Sequence, residues 1–181
     1  MAMTSLSFAQ DEMEVKWHTL EEAVALSEKE PKKIFIDVIT VWCGWCKKMD
    51  REVFSQEDIR KLLNEDYYAV RLDAQQKEDI EFEGETFEYQ MYGQKGFNRF
   101  AVELLRGKMG FPSLVFLDEE FNIIQSLEGY QQSDRLELIL TYFSADDYKR
   151  TPWSSYVRTQ ETLRLEQRIN QNSLQQAGGK N

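Results

Sequence analysis

Residues 34–38 read Ile-Phe-Ile-Asp-Val, a short β-branched run with no polar alternation. A half-exposed strand turns every second side chain to water, so this run predicts a strand covered on both faces. Such a strand needs a layer on each side of its sheet, which points to an α/β chain: a central mixed β-sheet flanked by helices. Other segments supply the layers. Val15–His18 reads as a strand, and Thr19 with Glu22 forms a T-x-x-E box opening a helix through about Ser27. Lys47–Val53 looks helical, and Ser55 is placed to cap a further helix. Residues 67–73 read as a strand and 97–106 as a helix, while 113–118 and 123–127 form an antiparallel pair. Ser133 then caps a helix to about Phe143.

Two segments do not fit that alternation. Residues 80–90 alternate apolar and polar side chains about Gly84, the pattern of a β-hairpin insertion, taken as about 80–92. Beyond Ala145 the chain turns polar, with a Gln-rich helix candidate over 158–176 and a loose "AGGKN" end. The expected organisation is therefore an N-terminal segment (1–14), a domain over 15–145 carrying the hairpin, and a C-terminal helical extension (146–181). In that extension Leu163, Leu165, Ile169 and Leu174 are too sparse for a heptad seam, so the expectation is a monomer or weak dimer.

The 41% hydrophobic fraction supports a sizeable core. With 22 basic against 32 acidic residues the net charge is −10, and no basic block is present, which argues against nucleic acid as the main partner. No apolar run approaches the roughly 20 residues of a transmembrane helix. "SLSFAQ" near the N-terminus resembles the last residues of a secretory signal before cleavage after Ala9, so a periplasmic or secreted location is expected, with a cytoplasmic one as the alternative.

The two cysteines, Cys43 and Cys46, follow the buried run at once, spaced Cys-Gly-Trp-Cys. A structural zinc site needs four ligands, and the single histidine, His18, lies far away in sequence. A disulfide across so short a loop restrains little unfolded-chain entropy, which weakens a purely structural role. Redox chemistry is the favoured reading. Cys43 sits where a strand gives way to a helix, so free backbone N–H groups and the helix dipole stabilise its thiolate. Cys46, one turn on, can resolve a mixed disulfide. Lys47 and Lys48 add positive charge, and Trp42 and Trp45 offer an apolar surface to a partner peptide. Asp37 stands six positions before Cys43 inside an apolar strand, where a carboxylate is costly without work or a partner. It could accept the Cys46 proton, or form a salt bridge with Lys33 or Arg71. An ordinary surface role is expected for Arg71, and Tyr130 is read as packing at the start of the last helix. Pro112, just before a strand, suits a cis turn.

Taken together, Trp42-Cys43-Gly44-Trp45-Cys46-Lys47, the upstream Asp37 and the downstream Gly110-Phe111-Pro112-Ser113 resemble the thioredoxin superfamily over about residues 15–145. Within it, "CGWCKKMDREVFS" resembles bacterial thioredoxin-like proteins of the cell envelope, near the disulfide reductases. The resemblance implies a thioredoxin-like fold and a protein thiol–disulfide oxidoreductase, with Cys43 attacking, Cys46 resolving and Asp37 accepting a proton. It implies Pro112 as the cis-proline and a substrate surface of Trp42, Gly44, Trp45, Phe111 and Pro112, with Lys47 as electrostatic support. No cofactor beyond the Cys43–Cys46 disulfide is implied; the partners are protein disulfides and an upstream dithiol donor. Trp45 stands where thioredoxin has proline, and "ITV" before the motif lacks an expected acidic residue, so the direction favours a reductase without excluding oxidase or isomerase action. A binding or adaptor module on the same scaffold is the alternative from another class.

Overall fold

The computed structural model describes residues 14–178, the side chains of 174–178 excepted. The signal-like stretch through Ala9 and the side chain of Leu174 lie outside the described residues. By internal packing the chain divides into two compact units, one through Leu140 and one from Thr141.

The first unit is built on a five-stranded sheet. Its strands are β1 (Trp17–His18), β2 (Lys33–Ile39), β3 (Tyr67–Asp73), β8 (Ser113–Leu117) and β9 (Ile123–Glu128), in the order β1-β3-β2-β8-β9. β2 and β1 run parallel to β3, whereas β8 is antiparallel to both β2 and β9. The apolar run is the middle strand of this mixed sheet, and every residue from Lys33 to Val38 is buried. Its two-residue period divides the core. Ile34, Ile36 and Val38 belong to a cluster with Leu20 and Ala23 of α1 (Leu20–Ser27) and Phe100, Ala101 and Leu104 of α4 (Arg99–Leu104). Phe35, on the other face, meets the rings of Phe54, Tyr67 and Phe116 at 6.1, 6.4 and 5.4 Å between centroids. Burying each such ring stabilises the fold by roughly 1.5–3 kcal/mol.

Helix α1 opens with the anticipated capping box. The Thr19 hydroxyl accepts the Glu22 N–H at 3.2 Å, and the Glu22 carboxylate accepts the Thr19 N–H at 3.0 Å. α2 covers Gly44–Glu52 and α3 covers Glu57–Asp66. Ser55 does not cap α3: its hydroxyl donates to the Arg51 carbonyl at 2.6 Å, and Gln56 occupies the cap without a side-chain hydrogen bond. Ser55 lies one position too early and closes the end of α2 instead.

The insertion between β3 and α4 is larger than the sequence pattern suggested. β4 (Ile80–Phe82) and β5 (Glu85–Phe87) pair across Glu83-Gly84, whose φ values of 50° and 79° make the left-handed two-residue turn that glycine favours. A second hairpin follows, β6 (Tyr89–Tyr92) with β7 (Lys95–Asn98). Phe97 and Asn98, expected to be helical, are therefore in a strand. The helix starts at Arg99 because Asn98 caps it, its side-chain oxygen accepting the Phe100 N–H at 2.9 Å.

The second unit holds the end of α5 (Ser133–Ser144), a 3-10 turn (Asp147–Lys149) and α6 (Trp153–Gly178). α6 begins before the expected residue 158, since Pro152 leads into its first turn and its carbonyl accepts the N–H groups of Ser155 and Tyr156. Tyr142 packs against Trp153 and Tyr156, with ring centroids 5.1 and 4.8 Å away, and Leu163, Leu165 and Ile169 are exposed. No helix of the described residues is long and apolar enough to cross a membrane.

Candidate active site

The motif starts where β2 stops. The Cys43 N–H donates to the Thr40 carbonyl at 3.0 Å, closing a tight turn that makes Cys43 the N-cap of α2. Its sulfur accepts the Cys46 N–H at 3.0 Å, and the two cysteines are joined as a disulfide with their Cα atoms 5.3 Å apart. Both are nearly buried, yet Val41, Trp42 and Trp45 around them are 69%, 57% and 59% exposed. Gly44 is exposed at the first position of α2, with open space where a Cβ would stand. The sulfurs therefore lie at the floor of a small apolar rim. At that floor a thiolate on Cys43 would meet a backbone N–H and the positive end of a helix, both of which favour the charged form.

Each tryptophan has its own support. Trp42 packs edge-on against Phe111 at 6.0 Å, and its indole N–H donates to the Gln75 side-chain carbonyl at 2.6 Å. Trp45 rests against Tyr130 at 5.7 Å, and the Lys48 ammonium stands 5.1 Å from both ring centroids. The Tyr130 hydroxyl donates to Glu52 at 3.2 Å. Tyr130 is thus a wall of the site, not merely a residue at the start of α5. Phe111 is half-buried; the Phe111–Pro112 peptide is cis and Pro112 is buried, its carbonyl accepting the Gly129 N–H at 2.7 Å. Lys47 is exposed and has no ion-pair partner among the described residues.

Beneath the motif lies a three-membered charge cluster. Asp37 pairs in register with Arg71 of β3, and the Arg71 guanidinium reaches Asp37 at 3.3 Å and Asp50 of α2 at 2.5 Å. Its face covers the Trp17 ring at 4.0 Å. The second Asp37 oxygen, Oδ1, is buried without a hydrogen-bond partner. Burial pushes the Asp37 carboxyl up to about 7; Arg71 opposes that rise and the Asp50 charge adds to it. A carboxyl poised there can take or return a proton near neutral pH. Arg71 is consequently no ordinary surface residue, and Lys33 is engaged elsewhere, with Glu119 at 2.8 Å.

The structure brings together Cys43 with Cys46 and Trp42 with Phe111, whereas Asp37 contacts Arg71. Gln75, Asp50 and Lys95 escaped the sequence reading, being ordinary polar residues whose partners lie far along the chain, and the contact of Tyr130 with Trp45 was likewise not anticipated. Among the described residues no group of three or more His, Cys, Asp or Glu side chains is arranged to hold a metal ion.

The family model for a thioredoxin-like domain matches residues 20–144. The chain belongs to that family. Human spermatogenesis-associated protein 20 is 37% identical to this thioredoxin-like chain over 68 residues, which is 37% of the chain and 9% of the human protein. An uncharacterised protein of Caenorhabditis elegans is 28% identical over 104 residues, 58% of this chain and 12% of the relative. The chain thus spans only a small part of these two relatives. Among solved structures, a DsbH oxidoreductase aligns over 79% of this chain and 94% of its own, with 19% identity and a TM-score of 0.51. A thioredoxin from Thermus thermophilus covers 72% of this chain and 88% of its own, with 18% identity and a TM-score of 0.54. These likenesses establish the shared fold of the thioredoxin-like domain.

Proposed function

We propose that this chain is a thiol–disulfide oxidoreductase that exchanges disulfides with protein substrates through Cys43 and Cys46, working as a reductase. The observation that carries the reading is the Cys43–Cys46 disulfide at the N-cap of α2, with the Cys43 sulfur held by the Cys46 N–H and ringed by exposed tryptophans. In the dithiol form the Cys43 thiolate attacks one sulfur of a substrate disulfide. That S–S bond breaks, one substrate thiolate leaves, and a mixed disulfide to Cys43 forms. Asp37 takes the Cys46 proton, directly or through water, and the Cys46 thiolate attacks the Cys43 sulfur, releasing the second substrate thiolate. Two electrons have then passed to the substrate, and an upstream dithiol donor restores the pair. The backbone at Phe111 and Pro112 supports an extended substrate strand beside the sulfurs, with Trp42, Gly44 and Trp45 as its floor and Lys47 favouring the thiolate.

The test is insulin reduction driven by dithiothreitol. The wild type should accelerate it, Cys43→Ser should return the rate to that of dithiothreitol alone, and equal rates would sink the reading. Direction is read separately from the potential of the pair in glutathione buffers: a value near about −270 mV supports the reductase, and one near about −120 mV an oxidant. The exposed Val41, Trp42 and Trp45 also favour a second reading, a binding module on this scaffold. Under it, partner capture survives in the Cys43→Ala/Cys46→Ala variant.

A further inference from the structure

The β6–β7 hairpin is tied to the cysteine motif rather than hanging free of it. Gln75 is the link: its side-chain oxygen accepts the Trp42 indole N–H, and its side-chain nitrogen donates to the Gly96 carbonyl at 3.1 Å. Phe97 adds an apolar contact, its ring 6.2 Å from that of Phe111. The pairing register then sorts the side chains. Tyr92 stands opposite Lys95, and Gln90 opposite Phe97, so these four share one face of the hairpin. That face is the one toward the site, because Phe97 meets Phe111 and the Lys95 ammonium lies 5.6 Å from the Trp42 ring centroid. Met91, one residue from Tyr92, points to the opposite face.

The site-facing side chains at the tip remain accessible: the Tyr92 hydroxyl donates to the Gln90 side chain at 3.4 Å, and Lys95 lies over Trp42. Tyr92 is 40% exposed, and Lys95 is exposed with no carboxylate partner among the described residues. In a chain whose net charge is −10, Lys95 thus sets an exposed positive charge beside Trp42. Trp42 stands between the hairpin and the sulfurs, which makes one continuous surface from Cys43 through Trp42 to Lys95 and Tyr92.

We propose that the β6–β7 hairpin is a substrate-selecting wall of the disulfide-exchange site, taking the segment beside the substrate's cysteine when that segment carries an apolar or aromatic residue followed by a carboxylate. The apolar residue lies on Trp42 and Tyr92, and the carboxylate faces Lys95. The inference rests on the oxidoreductase reading above and adds to it a class of substrate.

The test uses three neutral-pH probes with the full-length dithiol protein, followed by stopped-flow tryptophan fluorescence. Two are synthetic peptides with one internal disulfide, flanked by Leu-Glu or by Leu-Lys; the third is hydroxyethyl disulfide, too small to reach the hairpin. The quantity read is each peptide rate divided by the hydroxyethyl disulfide rate, which removes any change in Cys43 itself. The wild type should prefer the Leu-Glu peptide about three- to fivefold, the size of an exposed charge pair, and the preference should shrink at about 1 M salt. Lys95→Glu should abolish or invert it. Tyr92→Ser should lower both peptide ratios about fivefold, while Met91→Ser on the far face leaves them unchanged. Ratios unaltered by Lys95→Glu and Tyr92→Ser, or lowered equally by Met91→Ser, would overturn the hairpin's role while leaving the oxidoreductase intact. No reaction with hydroxyethyl disulfide, in a wild type matching Cys43→Ser, would overturn the oxidoreductase reading and the proposal with it.

Discussion

Replacing Asp37 with asparagine should stabilise the protein, by an amount that depends on pH in a way the structure specifies. Asp37 is 2% exposed, one of its oxygens has no hydrogen-bond partner, and its carboxyl is pushed up to about 7, chiefly by burial. In the unfolded chain the same group titrates near 3.9. The folded state therefore holds the proton more tightly, so unfolding releases it across that window and stability falls as pH rises from about 4 to about 7. Three units at 1.36 kcal/mol each give a cost of about 4 kcal/mol above pH 7, about 1.5 kcal/mol near pH 5 and under about 0.5 kcal/mol near pH 4. Asparagine has the shape of the protonated acid and carries no charge. Urea denaturation of both proteins at about pH 4, 5 and 8 should thus show a difference that grows with pH and favours Asp37→Asn. A variant equally stable at every pH, or one less stable at alkaline pH, would refute the reasoning. It would mean that the Arg71 ion pair outweighs the desolvation of the carboxylate.

Two further outcomes follow from neighbouring contacts. Asp50→Asn leaves Arg71 with Asp37 as its carboxylate partner and removes a charge that raises Asp37, so the fall in stability should still begin near about pH 4 but level off at a lower pH and reach a smaller total loss; an unmoved profile would show that Asp50 does not act on Asp37. Thr19→Ala breaks the capping box of α1 and should cost about 1 kcal/mol in denaturant unfolding, with Thr19→Ser recovering most of it.

What could be read from the sequence was whatever local pattern determines. The run of β2, apolar on both faces but for Asp37, has one structural outcome, burial on both faces, and from it the layered α/β arrangement follows. Thr19 and Glu22 satisfy each other three residues apart, and Cys43 and Cys46 span a single turn, so both features are visible at short range. What the sequence hid depends on long-range contacts. Asn98 looks like part of a helical run until its cap and its pairing with Tyr89 are seen together. Arg71 is one of two candidate partners for Asp37, and the sheet register decides between them by setting it beside Asp37, while only the fold of α2 brings in Asp50. Gln75 and Tyr130 carry no pattern at all, since their partners Trp42 and Trp45 lie 33 and 85 residues away. The walls of the site come from such residues, while its two sulfurs were plain from spacing.

The central claim, that Cys43 attacks and Cys46 resolves, is tested most directly by stopping the reaction halfway. A reduced Cys46→Ser variant, mixed with a disulfide-containing protein, has no thiol to release the mixed disulfide and should accumulate it. Mass spectrometry should then find one substrate linked to Cys43 and released by dithiothreitol, with little or no adduct in the Cys43→Ser variant. Adducts of equal yield on the two variants, or none on Cys46→Ser, would contradict the account.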